Sequence, residues 1–182
     1  MLRRMTPWLD ALVDDVAGFR KRPIAQLATV TTDNRPAVRS VVLRGVTNDG
    51  AFWFSADGRS RKPALGPAEL CLWLPSRSTQ WRIAGQLELH APGSERSDVT
   101  ALLEAAWESM DAEARKQLVG PPPGSVRDTE RLTPSEPAAM PDSLRVGLLT
   151  PETADRLVLD RPHRRTLFTL TGATWSASEV HP

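Results

Sequence analysis

Between residues 24 and 91 the chain is a succession of short apolar runs, each closed by a turn signal. "IAQLATVT", "AVRSVVLRGVT", "AFWFSA", "AELCLWL" and "TQWRIAGQLELHA" read as strands, in which successive side chains point to opposite faces. "TDNRP" and "NDG" leave room for little more than hairpin turns between the first three. The fifth run puts Trp81, Ile83, Leu87 and Leu89 on one face. Strands so close in sequence and so tightly joined predict an antiparallel sheet that curls or closes on itself. "DGRSRKPALGP", between the third and fourth runs, reads as a polar loop followed by a short helical turn.

On both sides of this block the period changes to that of a helix. In "MTPWLDALVDDVAGFRKRP", Thr6 can cap and Pro7 suits the first helical position. Trp8, Leu9, Leu12, Val13, Val16 and Phe19 then recur at helical spacing until Pro23 stops them. From Ser97 to Leu118, an apolar stripe of Val99, Leu102, Leu103, Ala106, Trp107 and Met110 faces away from acidic residues. Residues 119–143 form a Pro-rich loop, longer than compact domains usually hold without structure, which suits a mobile loop or an active-site cover. "LRVGLLT", "RLVLD" and "RRTLFTLTG" read as three returning strands before a terminal stretch that begins at Trp175. With no internal repeat and no sign of a second domain, residues 1–182 read as one domain. The predicted fold is mainly β, a core of about eight strands with peripheral helices.

A formal charge of +1 supplies no global field for nucleic acid, so any anion site must be local. No apolar run approaches the length needed to span a bilayer and no secretory leader is visible, which predicts a cytoplasmic protein without membrane attachment. Cys71 is the sole cysteine, excluding an internal disulfide and a cysteine metal cluster. There is no tyrosine, hence no phenolic acid or base. The three histidines show no metal-ligand spacing, and neither GxSxG nor GxGxxG is present.

Four basic or amide clusters remain. Arg39 and Arg44 sit in the second strand five residues apart, so an ideal strand puts them on opposite faces. A shared anion would need a bulge or a bend near Gly45. "RSRK" places Arg59, Ser60, Arg61 and Lys62 behind Gly58, in a loop that could hold a phosphate or simply be solvated. Gln80 and Arg82 share a face opposite Trp81. Arg161, His163 and Arg165 alternate and would share a side if extended. Taken together, the four weigh a phosphate-bearing ligand and scattered surface charge about equally.

In order and separation these fragments resemble the pyridoxamine 5'-phosphate oxidase-like, FMN-binding split β-barrel family. They are "ATVTTDNRPAVRSVVLRG", "FWFSADGRSRK", "LWLPSRSTQWRIAGQLEL", and "RPHRR" followed by a terminal Trp. The resemblance implies an antiparallel, Greek-key-like split barrel and a homodimer with FMN in the cleft between subunits. It directs Arg39 and Arg44 to the FMN phosphate region and runs the backbone of Ser40, Val41, Val42 and Leu43 beside the flavin. It matches Phe54 and Ser55 to an aromatic-plus-threonine pair, and Arg61 and Lys62 to a basic pair aimed at phosphate. It also brings Gln80 to the flavin and Arg165 from the partner subunit, with Arg161 and His163 as substrate contacts. A phosphate dianion explains the convergence of so much positive charge.

The departures bear on the substrate. Pyridoxamine phosphate oxidases clamp the substrate phosphate with a tyrosine, an arginine and a serine after the long strand. Here that region reads "LLEAAWESMDAEARKQLVGPPPG", and the closing motif has become "EVHP", with Glu179 reversing a charge. The implied function is an FMN-binding oxidoreductase of unassigned substrate, working by hydride transfer at flavin N5. Pyridoxamine or pyridoxine 5'-phosphate oxidation and non-catalytic flavin binding are the alternatives. No side chain stands out as a catalytic acid or base.

Overall fold

The computed structural model describes residues 6–16, 23–127 and 134–182. Phe19 and the end of the first predicted helix therefore lie outside the described residues. The chain runs α1 (Pro7–Val16), β1 (Ile24–Val30), β2 (Pro36–Val46), β3 (Phe52–Asp57), β4 (Leu65–Leu74) and β5 (Thr79–His90). It continues as α2 (Ser97–Glu108), α3 (Ala112–Val119), β6 (Leu144–Val158), β7 (Arg164–Thr171) and β8 (Thr174–Val180).

Strand order is β3-β2-β1-β4-β5-β6-β7-β8, and β3 also pairs with β6. That pairing, from Phe52 opposite Leu149 to Asp57 opposite Leu144, closes six strands into an antiparallel barrel and leaves β7 and β8 as an extension. The meander β1-β2-β3 followed by a return of β4 to the far side of β1 is a Greek key, as expected. Alternation sets the inside of the barrel: Ala25, Leu27 and Thr29 of β1, Val41 and Leu43 of β2, and Trp81, Ile83 and Leu87 of β5 are all buried. Trp8 and Leu12 of α1 join this core, and Trp8 stacks on Phe52 with ring centroids 5.6 Å apart. A second apolar cluster lies outside the barrel wall, where Val99, Leu103, Ala106 and Leu118 of the helices cover Leu144, Val146 and Leu148 of β6.

Three expectations about elements are corrected. The predicted helical turn before the fourth strand is instead the start of β4, which begins at Leu65. The helical stretch from Ser97 divides at Ser109–Asp111, because the Asp111 side chain accepts a hydrogen bond from Ala114 N at 2.8 Å and caps a separate helix. "LRVGLLT" and "RLVLD" belong to one strand of 15 residues, β6, and the last strand is the terminal stretch from Thr174. Continuity of β6 depends on a register shift in which Gly85 faces Pro151 and Ala84 faces Thr153. A Cβ on Gly85 would lie 1.9 Å from the Thr150 carbonyl oxygen, so only glycine permits this approach.

Residues 120–127 and 134–143 carry no helix or strand. They are tied to the barrel by Arg59, which donates to the Gly120 carbonyl at 2.6 Å and to the Gln117 carbonyl at 2.9 Å. No described helix is long and apolar enough to cross a membrane.

Candidate functional site

β2 decides how the predicted arginines are used. The β2–β3 ladder shifts between Leu43 and Gly45, leaving Arg44 as the extra residue of a bulge. The bend thus falls where the spacing argument required one. It does not unite the two arginines. Arg39 lies on the Val41–Leu43 side of the strand and donates to Thr29 Oγ1 at 2.6 Å and to the Leu27 carbonyl at 3.3 Å. Arg44 takes the other side, donating through Nε to Ser55 Oγ at 2.9 Å and through an Nη to Ser109, just past the end of α2. Within the chain they serve different places.

Arg39 instead shares its surroundings with Lys62. Lys62 Nζ donates to Ser60 Oγ at 2.6 Å, so the hydrogen-bond partners of both cations are neutral oxygens. Burial and then the charge of Arg39 pull the Lys62 ammonium below its ordinary range, against a smaller opposing effect from Asp57. Burial also lowers Arg39. Two like charges held close, with hydroxyls and a carbonyl as partners, form a local positive site that suits a dianion. Arg61 and Lys62 further line a cavity of about 540 Å³ with Arg35 and the β1–β2 turn.

Arg59 is used differently from its neighbours. It is bidentate on Asp57, with closest approach 2.7 Å, and spends its remaining donors on the carbonyls at the end of α3. The "RSRK" cluster therefore divides into a structural arginine and a basic pair.

Other predicted residues fall in three settings. Val41, Leu43 and Phe54 bury their side chains in the barrel, so any part they play at a ligand is through the wall they build. Ser40, Val42 and Gln80 lie on the outer face, as strand alternation requires, and Arg165 lies across β6 from Gln80, since both flank Leu157. Arg165 holds Asp155 through two hydrogen bonds of 2.8 and 3.1 Å, and Arg82, itself bidentate on Glu69, joins the same network through Asp155 at 3.9 Å. Arg161 and His163 do not share an extended side with Arg165. They lie in the exposed turn between β6 and β7, ahead of the strand that carries Arg165.

The outer face also exposes apolar side chains beside the Asp155 network. Ile24 is 58% exposed and faces Val42, while Trp73 is 44% exposed and faces Gln80. Cys71, on this face, is half-buried, and burial pushes its thiol up, away from the reactive thiolate.

A second cavity, of about 550 Å³, opens between β3, α3 and the Pro-rich segment, with Arg44 and Ser55 on one wall. The helix contributions to it, Ser109 to the Arg44 anchor and α3 to the lining, could not be read from sequence. Their signal is only a polar break in an otherwise continuous helical stripe.

The family described as pyridoxamine 5'-phosphate oxidase, FMN-binding domain, matches residues 5–91. A pyridoxine/pyridoxamine 5'-phosphate oxidase 2 of Arabidopsis thaliana is 29% identical over 98% of each chain. Among solved structures, a pyridoxamine 5'-phosphate oxidase-related, FMN-binding protein of Nostoc punctiforme superposes with a TM-score of 0.85 at 28% identity, covering 100% of both chains. PhzG of Burkholderia lata, solved with tetrahydrophenazine-1-carboxylic acid, shares the fold at a TM-score of 0.72 and 20% identity, over 98% of this chain and 90% of its own.

Proposed function

We propose that this chain, a distant and divergent relative of the FMN-binding split-barrel proteins that include pyridoxamine 5'-phosphate oxidase, is an FMN-dependent oxidoreductase acting on a small molecule. The observation that carries this reading is the Arg39–Lys62 pair, two cations bonded to neutral oxygens on a scaffold of this family. With Arg61 beside them they would hold the FMN phosphate. FMN, when bound, supplies the redox chemistry by hydride transfer at N5. This chain contributes binding and orientation.

We propose further that the working form is a cytoplasmic homodimer. An exposed surface bearing Ile24, Val42 and Trp73 suits burial against a second copy. Gln80 would then lie near the flavin ring, and Arg165 would reach it from the partner, with Arg161 and His163 at the cleft edge. In this assignment Arg44 does not serve the FMN phosphate.

FMN titration followed by quenching of flavin fluorescence tests the reading. The expected result is saturable binding, with FMN at least about tenfold tighter than riboflavin because the phosphate makes charge-assisted bonds. Absent FMN binding, or equal affinity for the two flavins, would overturn it. The Arabidopsis relative favours a second reading, oxidation of pyridoxine or pyridoxamine 5'-phosphate. Steady-state turnover of pyridoxine 5'-phosphate by the FMN-loaded protein decides between them. Reduction of the bound flavin by NAD(P)H without such turnover leaves the broader oxidoreductase reading standing. Failure of both favours a non-catalytic flavin-binding protein.

A further inference from the structure

The cavity beside the β1–β2 turn begins where the Arg39–Lys62 pair ends. Lys62 belongs to both, since the charge of Arg39 acts on its ammonium and its side chain lines the cavity. Beyond it stand Arg61 and Arg35, with Asp33 and Thr32 of the turn, between apolar walls supplied by Pro36 and Pro63. Both stretches that build this lining lie inside the continuously described run 23–127. Neither the Arg35 nor the Arg61 guanidinium has a hydrogen bond or ion pair among the described residues. Arg59, two residues before Arg61, is by contrast bidentate on Asp57. The turn itself is pinned: Thr31 N donates to the Arg35 carbonyl at 2.8 Å, and Arg35 N donates back to Thr31 Oγ1 at 3.0 Å.

One phosphate, held by Arg39 and Lys62, leaves this charge and space unused. The volume of about 540 Å³ lies within the usual range for small-molecule sites and exceeds what a phosphate group fills. Arg61 carries five donors, enough to bridge the first phosphate and a second one beside it. Arg35 lies farther along the lining and is available to the second alone. Asp33 would repel a bare anion, but a carboxylate is the usual acceptor for the hydroxyls of a ribose. Proline walls remove the surface of a flat base from water. Cations, one carboxylate and apolar walls in one cavity therefore suit a nucleotide better than a free phosphate ion.

We propose that this cavity is a second phosphate subsite continuous with the first, and that it takes the adenylyl half of a flavin dinucleotide, FAD. Arg35 and Arg61 hold the second phosphate, and Asp33 accepts from the adenosine ribose. The proposal rests on the flavin-dependent reading above and extends its cofactor from FMN to FAD. Arg35 is the residue that distinguishes the two.

Calorimetric titration of the flavin-free protein with FMN and with FAD tests it, above about pH 7, where the FMN phosphate is a dianion. The parent should bind FAD at least as tightly as FMN. Arg35→Met should weaken FAD about tenfold, the loss of one charge-assisted contact, while leaving FMN within about twofold. Thr32→Trp, which fills the cavity from an exposed turn position, should make FAD the weaker ligand while FMN binding persists. Failure of the parent to bind either flavin overturns the flavin reading and this proposal with it. A parent that binds FMN and takes FAD more weakly overturns this proposal alone. So does an Arg35→Met protein in which FMN and FAD weaken together, or in which neither changes, because Arg35 would then serve the first phosphate or none. A Thr32→Trp protein that still prefers FAD would place the adenylyl group outside the cavity and overturn it as well.

Discussion

Replacing Asp15 by alanine should destabilise the fold by about 2–4 kcal/mol, below the range for breaking a fully buried ion pair because the Arg156 side chain is 28% exposed. Asp15 is 4% exposed and is the point at which α1 is fastened to the barrel. Its carboxylate accepts from Arg156 Nε at 2.7 Å, from Arg156 Nη2 at 2.8 Å and from Trp81 Nε1 at 2.8 Å. The alanine variant leaves a guanidinium beside an indole N–H with no acceptor between them. The orphaned indole donor alone costs about 1–3 kcal/mol. For a chain of this size the loss corresponds to a fall in Tm of roughly 10 °C. Chemical and thermal unfolding measure it directly. Asp15→Leu combined with Arg156→Met should recover part of the loss, because an apolar pair carries no unmatched charge. A loss below about 1 kcal/mol would show that α1 is held by Trp8 and Leu12 alone, the surface-pair limit.

The pH dependence has a definite sign. Burial by itself pushes the Asp15 carboxyl up, but hydrogen bonds from Arg156 and Trp81, with the charges of Arg156 and Arg77, outweigh it and hold the group below the usual aspartate range. A carboxylate lowered in the folded state contributes its full stability above the unfolded value, about 3.9. That contribution is lost as pH falls through the lower folded value. The difference between parent and Asp15→Ala should therefore be constant at neutral pH and shrink below about pH 4.

Asp15 also shows what could be read in the sequence. Its helix was visible from Trp8, Leu9 and Leu12, but its partner Arg156 lies 141 residues away in the chain, and no local pattern joins them. The barrel strands were legible because each needs only its own alternation and turn. β6 was not, because "TPETAD" contains a proline and polar residues that look like a turn. The strand survives them through Gly85, whose missing side chain lets the Thr150 carbonyl approach, and through the bulge beside it. That compensation is on another strand, beyond the reach of a local reading.

The site divides in the same way. The residue types that gather charge were visible, and a bulge near Gly45 was the condition for Arg39 and Arg44 to share an anion; the bulge is there, but it does not bring them together. Their separate destinations were not, since they depend on Thr29 on one side of β2 and on Ser55 and Ser109 on the other. Arg59, adjacent to the basic pair and chemically identical to Arg61, is consumed by Asp57 and two carbonyls. Sequence supplies the charges; register and helix packing decide which of them face a ligand.

The combined substitution Arg39→Met and Lys62→Met should weaken FMN by about 3–6 kcal/mol while leaving riboflavin nearly unchanged, taking about 1.5–3 kcal/mol for each charge-assisted bond. The same substitution has an opposite effect on the empty protein. Arg39 and Lys62 repel one another, and burial adds to the cost, as the lowered Lys62 ammonium shows. Removing both should leave the Tm without FMN equal to or above that of the parent. Residues that merely held the barrel together would lower it. The pH profile follows from the same charges. A phosphate monoester becomes a dianion above about pH 6, so FMN affinity should rise through that value. It should fall again as Lys62 loses its proton, which occurs below the ordinary lysine range because of its burial and Arg39. The double variant should lose the upper limb of that profile and keep a weak lower one. Fluorescence titration of FMN and riboflavin across pH, with thermal unfolding of the unliganded proteins, measures all three effects. A parallel loss of both flavins, or a Tm well below the parent's, would show that these cations serve the fold and that the phosphate is held elsewhere.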